Sequence, residues 1–142
     1  MQQGSNHSHN RELIIVVDDD RVSREIMAGF LEKLGFTTIC LEDGHYLTFS
    51  CSYFAHVKAI MMDMNMPVLN GYKATKRIRK VCRKNPALDH LPIIAVSGVE
   101  FDDHKCIKAG CDALLKKPLT IKRLYDALVD CNVVCNPLEL IK

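Results

Sequence analysis

Residues 13–20 read LIIVVDDD, and this stretch decides the fold. Five apolar residues, four of them β-branched, run without interruption and end directly at three aspartates. A run this short and this continuous is typical of a strand buried on both faces, as in a parallel sheet covered by helices. The aspartates follow at the carboxyl end of the strand, where open α/β sheets bind their ligands.

The rest of the chain repeats this alternation of short apolar runs and longer amphipathic stretches. The alternation predicts an α/β fold, a doubly wound five-stranded parallel sheet with helices on both faces. The runs predicted as strands are Leu13–Val17, Phe36–Cys40, Ala59–Met62, Pro92–Val96 and Ala113–Leu115.

Apolar residues at helical spacing predict the connecting helices. The first helix is expected to end at Gly35, a suitable left-handed cap, and to turn four residues toward the sheet. Those four are Val22, Ile26, Phe30 and Leu34, with Met27 and Leu31 beside them. Further helices are predicted over 71–83, over 102–109 and from Thr120 onward, with a weaker helical pattern over 43–54. The basic residues of the helix over 71–83 are expected on its solvated face: Lys73, Lys76, Arg77, Arg79, Lys80 and Arg83.

Composition limits the class of protein. The chain has 142 residues, 48% hydrophobic and 25% charged, which suits one globular domain and excludes a disordered tail. Its 19 basic and 17 acidic residues give a net charge of +2, so we expect no nucleic-acid partner. The apolar runs are far shorter than the roughly 20 residues needed to cross a bilayer, so we also expect no membrane contact by this domain.

The two chain ends are predicted to lie outside the folded domain, and the cysteines indicate the compartment. Residues 1–10 are polar and are interpreted as a disordered leader, residues 11–134 as the domain, and 135–142 as a C-terminal tail. The seven cysteines form no C-x-x-C pair, so we interpret them as reduced thiols and expect a cytoplasmic protein.

Polar residues follow four of the predicted strands. Asp18, Asp19 and Asp20 follow the first, and Asp63, Ser97 and Lys117 follow the third, fourth and fifth; because parallel strands meet at one edge of the sheet, these side chains are expected to converge. Several carboxylates in one place need a cation, and hard oxygen ligands favour Mg²⁺. With a lysine and a hydroxyl beside them, they would cradle a tetrahedral anion, as phosphoryl transfer to a carboxylate requires.

Four motifs, in this order, carry a family resemblance. They are IIVVDDD at 14–20, MMDMNMPVLNG at 61–71, AVSG at 95–98 and LLKKP at 114–118. From Glu12 to Leu128 the chain resembles the receiver domains of two-component response regulators and hybrid sensor kinases. The resemblance implies a flavodoxin-like (β/α)5 fold with strand order 2-1-3-4-5. It also implies a phosphoacceptor in a His-Asp phosphorelay, either stand-alone or part of a hybrid kinase.

The resemblance also implies roles for individual residues. Asp63 is the implied phosphoacceptor, and the implied Mg²⁺ ligands are Asp18, Asp19, Asp63 and the backbone carbonyl of Asn65. Asp19 is expected to bind the ion directly and Asp18 more through water. Ser97 is the implied hydroxyl donor to the phosphoryl oxygen, and Lys117 its basic partner. Lys117 is preferred over Lys116 because Pro118 follows it, in a step that is often cis in the family.

The implied partner is a histidine kinase or a histidine phosphotransfer protein, whose phosphohistidine is the donor. Such a domain catalyses its own phosphorylation and dephosphorylation without being a multi-turnover enzyme by itself. Many family members form homodimers through the face of the last two helices, and such a homodimer is expected here. Two departures argue for a relay or sink, or for signalling through another surface: Leu114 replaces the usual switch aromatic, and the stretch from Ser97 to Gly110 is about two residues short.

Two other functions are compatible with parts of the sequence. The run from Asp18 to Val22 fits the D-x-D-x-V pattern of small Mg²⁺-dependent phosphohydrolases of the haloacid dehalogenase type, with Asp18 as nucleophile and Asp20 as acid/base. That interpretation leaves residues 61–71 unexplained and lacks a later acidic pair at a strand end. A degenerate receiver that only binds proteins is disfavoured because every site residue is present.

Overall fold

The computed structural model describes residues 12–44, 54–65, 70–88, 90–98 and 102–133. Within these ranges five parallel strands form one sheet in the order β2-β1-β3-β4-β5, which confirms the predicted fold and strand order. The strands are β1 (Leu13–Val17), β2 (Thr37–Leu41), β3 (Val57–Asp63), β4 (Ile93–Ser97) and β5 (Ala113–Lys116). The helices are α1 (Arg21–Lys33), α2 (Gly71–Cys82), α3 (Asp103–Ala109) and α4 (Ile121–Asp130), and a short 3₁₀ turn spans Pro86–Leu88.

Some sequence-based predictions lie outside the described residues. They are the leader over 1–10, most of the weak helix over 43–54, the tail over 135–142, and two of the cysteines, Cys51 and Cys135. The other five cysteines are free thiols, as predicted: Cys40, Cys82, Cys106, Cys111 and Cys131. None of the described helices combines the length and the apolar character that crossing a bilayer requires.

Buried side chains on both faces of the sheet explain the apolar strands. On one face Ile14 and Val16 of β1 pack in a cluster with residues of α1 and α4. On the other face Ile15 and Val17 pack with residues of α2 and α3. Alternate residues of a strand point to opposite faces, so a strand covered on both sides has to be apolar throughout.

The predicted inward face of α1 is wrong at its first two positions. Val22 is 63% exposed and Ile26 is 48% exposed, whereas Met27, Leu31 and Leu34 are buried. The reason is geometric, since a step of four residues overshoots a full helical turn by about 40°. A strict every-fourth-residue row therefore winds around the helix, and only its last members reach the core. The exposed pair leaves an apolar patch on α1.

The helix ends follow from local hydrogen bonds. Each helix begins after a side chain that accepts from the backbone N–H three residues later; these caps are Asp20, Asn70, Asp102 and Thr120. Gly35, with φ of 97°, follows the end of α1, as predicted. The caps Asp20 and Asn70 lie directly before α1 and α2, and Asp20 fixes how the chain turns from β1 into α1.

Arg79 was predicted to point into solvent with the other basic residues of α2, and this is wrong. Its guanidinium donates to the carbonyl oxygens of Leu91 and Gly110 and pairs with Asp112. These partners lie in the segments that lead into β4 and β5. Arg79 therefore ties the end of α2 to the start of both strands.

Candidate functional site

Four strands deliver polar side chains to one edge of the sheet. Asp18 follows β1, Asp63 ends β3, Ser97 ends β4, and Lys117 follows β5. The register pairs Asp63 with Val96, and Ser97 with Lys116, so these strand ends lie at the same level. Asp18, Asp63 and Ser97 are buried. The structure therefore brings together residues that are up to about a hundred positions apart in the sequence.

Three carboxylates meet at this edge. Asp18, Asp19 and Asp63 each offer an oxygen, and these oxygens all lie within 4.8 Å of one another. Asp20 is used differently, because its side chain accepts from the N–H of Ser23 and caps α1. That capping role removes the acid/base that the phosphohydrolase alternative requires. In addition, Asp18 Oδ1 accepts from the N–H of Asp20, which holds this carboxylate in place.

Lys117 places its charge against the carboxylates. Its Nζ lies 2.9 Å from Asp18 Oδ2 and 4.0 Å from Asp63 Oδ2. Burial alone would lower the pKa of Lys117, but the hydrogen bond and charge of Asp18, with the charges of Asp63 and Asp19, raise it overall. Lys117 is therefore a fixed positive charge at the site. The peptide bond between Lys117 and Pro118 is cis, in agreement with the family pattern.

Asp63 has an unusual ionisation. The pKa of its carboxyl group is raised to about 7, chiefly by burial. The hydrogen bond from the N–H of Asn65 and the charge of Lys117 lower this pKa, whereas the neighbouring Asp19 and Asp18 raise it, and about 7 is the net result. The N–H of Asn65 donates to Asp63 Oδ1 over 3.0 Å. Asp63 is thus a buried carboxylate that needs nearby positive charge to stay ionised at neutral pH.

Asn65 and Arg24 make contacts that the sequence analysis missed. The Asn65 side-chain amide donates to Ser97 Oγ over 2.6 Å, although only the backbone carbonyl of Asn65 was considered from the sequence. Arg24, one turn into α1, donates to the carbonyl oxygen of Asp18 over 2.7 Å. The sequence gives no sign of either contact, because the Asn65 amide meets a hydroxyl 32 residues away and the Arg24 guanidinium reaches back to a backbone carbonyl.

The residues present fit a divalent cation. Three carboxylates face a single lysine, so the cluster carries surplus negative charge in a largely buried place. Such a cluster is stable when a cation neutralises it, and an all-oxygen donor set suits Mg²⁺. Lys117 alone leaves two negative charges uncompensated among these four residues.

Comparison with known proteins identifies the family. The family model described as the response regulator receiver domain matches residues 14–129. The chain belongs to the response regulator receiver domain family. Receiver domains act as phosphoacceptors in two-component signalling, and neither alternative function is favoured by the comparisons.

Relatives and solved structures agree with this family. A probable histidine kinase 6 of Oryza sativa is 30% identical over 131 residues, covering 81% of this chain and 14% of the kinase. The sensor histidine kinase RcsC of Escherichia coli is 32% identical over 118 residues, covering 82% and 12%. The receiver domain of the histidine kinase CKI1 from Arabidopsis thaliana, solved with Mg²⁺ and BeF₃⁻, is 29% identical with a TM-score of 0.75, covering 92% of this chain and 96% of that one. The chain thus spans about an eighth of the length of these kinases.

The raised pKa of Asp63 makes a testable prediction about stability. Without metal at pH 8, we expect Asp63→Asn to increase the free energy of unfolding of this receiver domain by about 1–2 kcal/mol, because one buried like charge is removed. A carboxyl group whose pKa is raised from 3.8 to about 7 binds its proton more tightly in the folded state. Wild-type stability should therefore fall as the pH rises from about 4 to about 7, and Asp63→Asn should lose that slope.

Urea unfolding at pH 5 and pH 8, in the presence of a chelator, measures the free energy of unfolding and its dependence on pH. Asp130→Asn, at the exposed end of α4, is the matched control and should change stability by less than about 0.5 kcal/mol at either pH. Added Mg²⁺ should stabilise the wild type more than Asp63→Asn, since a ligand that binds only the folded state stabilises it by mass action. An asparagine variant that is less stable than the wild type at pH 8 would contradict this account.

Proposed function

We propose that Asp63 is the phosphoacceptor of this receiver domain and that the donor is the phosphohistidine of a histidine kinase or a histidine phosphotransfer protein. The observation that carries the proposal is the position of Asp63, which is buried beside the carboxylates of Asp18 and Asp19 and lies 4.0 Å from the ammonium of Lys117. An oxygen of Asp63 attacks phosphorus, the bond from phosphorus to the histidine nitrogen breaks, and the nitrogen keeps the electron pair. The second ring nitrogen of the donor carries a proton, so the products are an aspartyl phosphate and a neutral histidine.

We assign Mg²⁺ binding to Asp18, Asp19, Asp63 and the backbone carbonyl of Asn65. The bound ion supplies positive charge for the oxygens of the phosphoryl group. Lys117 adds a second positive charge, with its Nζ held 2.9 Å from Asp18 Oδ2. Ser97, buried at the end of β4, supplies a hydroxyl donor to a phosphoryl oxygen. These residues do little covalent chemistry, as phosphoryl transfer needs mainly positioning and charge.

The donor protein is expected to dock on α1. A phosphohistidine reaches Asp63 only if its protein covers the carboxyl edge of the sheet. Next to that edge, Val22 and Ile26 form the exposed apolar patch of α1. A cavity of about 370 Å³ adjoins the patch, and its lining includes Ile26, Lys117 and Pro118. An exposed apolar patch that borders a charged site is typical of a protein–protein interface.

We favour a relay or sink as the signalling role. The helix α3 has only seven residues, and Leu114 stands at the usual position of the switch aromatic. Both features reduce what the face of α3 and α4 offers to an output partner. The homodimer through that face stays a prediction. The five free thiols of the described residues support a reducing compartment, and we place the protein in the cytoplasm.

Phosphorylation by acetyl phosphate with Mg²⁺ tests the proposal. By intact mass, the wild type is expected to gain one phosphoryl group and Asp63→Asn none. A gain by Asp63→Asn, or a phosphoryl group mapped to Asp18, would contradict the assignment and revive the phosphohydrolase interpretation. A wild type that neither gains mass nor binds Mg²⁺ would instead point to a degenerate receiver that only binds proteins.

A further inference from the structure

We infer that the side chain of Asn65 is a positioning residue that holds the Ser97 hydroxyl in the unphosphorylated domain and has to release it when Asp63 is phosphorylated. The inference rests on the function proposed above and assigns a control step at the same site. It concerns the amide of Asn65, whereas the proposed metal ligand is the backbone carbonyl of that residue.

The contact itself is short and well placed. Asn65 Nδ2 donates to Ser97 Oγ over 2.6 Å, while the backbone N–H of the same residue donates to Asp63 Oδ1 over 3.0 Å. Asn65 therefore bridges the acceptor carboxylate and the hydroxyl. Ser97 is only 1% exposed, so bulk water cannot replace the Asn65 amide as the partner of its hydroxyl.

The backbone of Ser97 is held independently of this contact. The N–H of Lys117 donates to the carbonyl oxygen of Ser97 over 2.8 Å, and Ser97 pairs with Lys116 in the sheet. The change proposed here therefore concerns the side-chain rotamer of Ser97 and leaves its backbone in place. Since the Asn65 amide lies in the loop that leaves β3, the bond joins the loop after the acceptor to the end of β4, two segments 32 residues apart in the sequence.

Phosphorylation changes which hydrogen bond is favoured. A phosphoryl oxygen carries negative charge and accepts a hydrogen bond more strongly than a neutral group does. Ser97 then turns its side chain toward the phosphoryl oxygen, and because Oγ moves away from the Asn65 amide, the bond from Asn65 is broken. The resting bond opposes this turn by roughly the net strength of one hydrogen bond, which corresponds to about a three- to tenfold shift in the population of the turned rotamer.

Binding of BeF₃⁻ with Mg²⁺, followed by NMR, tests this inference. Asn65→Ala is expected to bind BeF₃⁻ about three- to tenfold more tightly than the wild type, because the turned rotamer is more populated beforehand. Its free spectrum should also show the amide signals of Ser97 and Gly98 displaced toward their wild-type BeF₃⁻-bound positions. Asn65→Gln, which keeps an NH₂ donor on a longer side chain, should restore part of the wild-type behaviour.

Ser97→Ala provides the decisive background. If Asn65 acts through the Ser97 hydroxyl, Asn65→Ala will not tighten BeF₃⁻ binding further in Ser97→Ala. Equal effects in both backgrounds, or weaker binding by Asn65→Ala, would overturn the inference. A wild type that fails to bind BeF₃⁻ in Mg²⁺ would instead overturn the proposed phosphoacceptor, so the two failures are distinguishable.

Discussion

Gly71→Ala is expected to reduce the free energy of unfolding by about 2–4 kcal/mol and to slow phosphorylation of Asp63. Gly71 is the first residue of α2 and lies against the end of β3. A Cβ atom at this position would lie 2.7 Å from the Met64 Cα and would also collide with the carbonyl oxygen of Asp63. These are backbone atoms, so either α2 or the end of β3 has to move.

The displacement caused by Gly71→Ala falls on Asp63, the proposed phosphoacceptor. Asp63 depends on its position relative to Lys117 Nζ, 4.0 Å away, and on the oxygens of Asp18 and Asp19. We therefore expect a slower reaction with acetyl phosphate even under conditions where the variant is fully folded. Urea unfolding and the rate of mass gain measure the two effects separately.

Gly29→Ala is the matched control for Gly71→Ala. Gly29 lies in α1, and a Cβ atom there meets nothing within 4 Å. Alanine favours a helix more than glycine does, so this variant should be more stable than the wild type by about 0.5–1 kcal/mol. We therefore expect the two substitutions to change the free energy of unfolding in opposite directions. A Gly71→Ala protein as stable as the wild type would show that no close approach exists.

Arg79→Ala is expected to cost about 2–4 kcal/mol of stability, the second large effect. Its guanidinium donates to the Leu91 carbonyl over 2.6 Å and to the Gly110 carbonyl over 2.9 Å, and pairs with Asp112 at 2.6 Å. The Arg79 side chain is only 17% exposed. Its removal therefore deprives two backbone carbonyls of a charged donor in a place that water reaches poorly.

Urea unfolding of Arg79→Ala is compared with that of Arg79→Lys, the conservative variant, and Lys76→Ala, the control. A lysine ammonium lacks the planar fork of arginine and cannot make the three contacts together, so Arg79→Lys should recover only part of the loss. Lys76, exposed on the same helix, should change stability by less than about 0.5 kcal/mol on truncation. If Arg79→Ala behaves like Lys76→Ala, the three hydrogen bonds contribute nothing measurable.

The gathering of the site residues at one edge of the sheet could be predicted from the sequence, because it follows directly from the parallel arrangement of the strands. Once β1, β3, β4 and β5 are placed in one sheet, Asp18, Asp63, Ser97 and Lys117 have to lie at the same edge. The orientation of α1 was harder to predict. The spacing of Val22 and Ile26 fits a helix, but it does not show which apolar residues of that helix face the sheet. Only the packing of Met27 and Leu31 against the core decides it.

Individual polar contacts were not predictable, and the reason is distance along the chain. The partners of Arg79 lie 12, 31 and 33 residues away, and the partner of the Asn65 amide lies 32 residues away. Charge alone makes Arg79 equivalent to Lys76 or Lys80. Their environments differ because the carbonyl oxygens of Leu91, before β4, and Gly110, before β5, accept from Arg79.

The tight turn over residues 18–20 is part of both the acidic cluster and the start of α1. The N–H of Asp20 binds the Asp18 carboxylate, the Asp20 side chain starts α1, and Arg24 returns from α1 to the carbonyl of Asp18. The acidic cluster and the helix that carries Val22 and Ile26 are therefore mechanically joined. A cation bound at Asp18 would therefore also restrain α1, the helix on which we propose that the donor docks. By thermodynamic reciprocity, a docked donor would strengthen the binding of that cation.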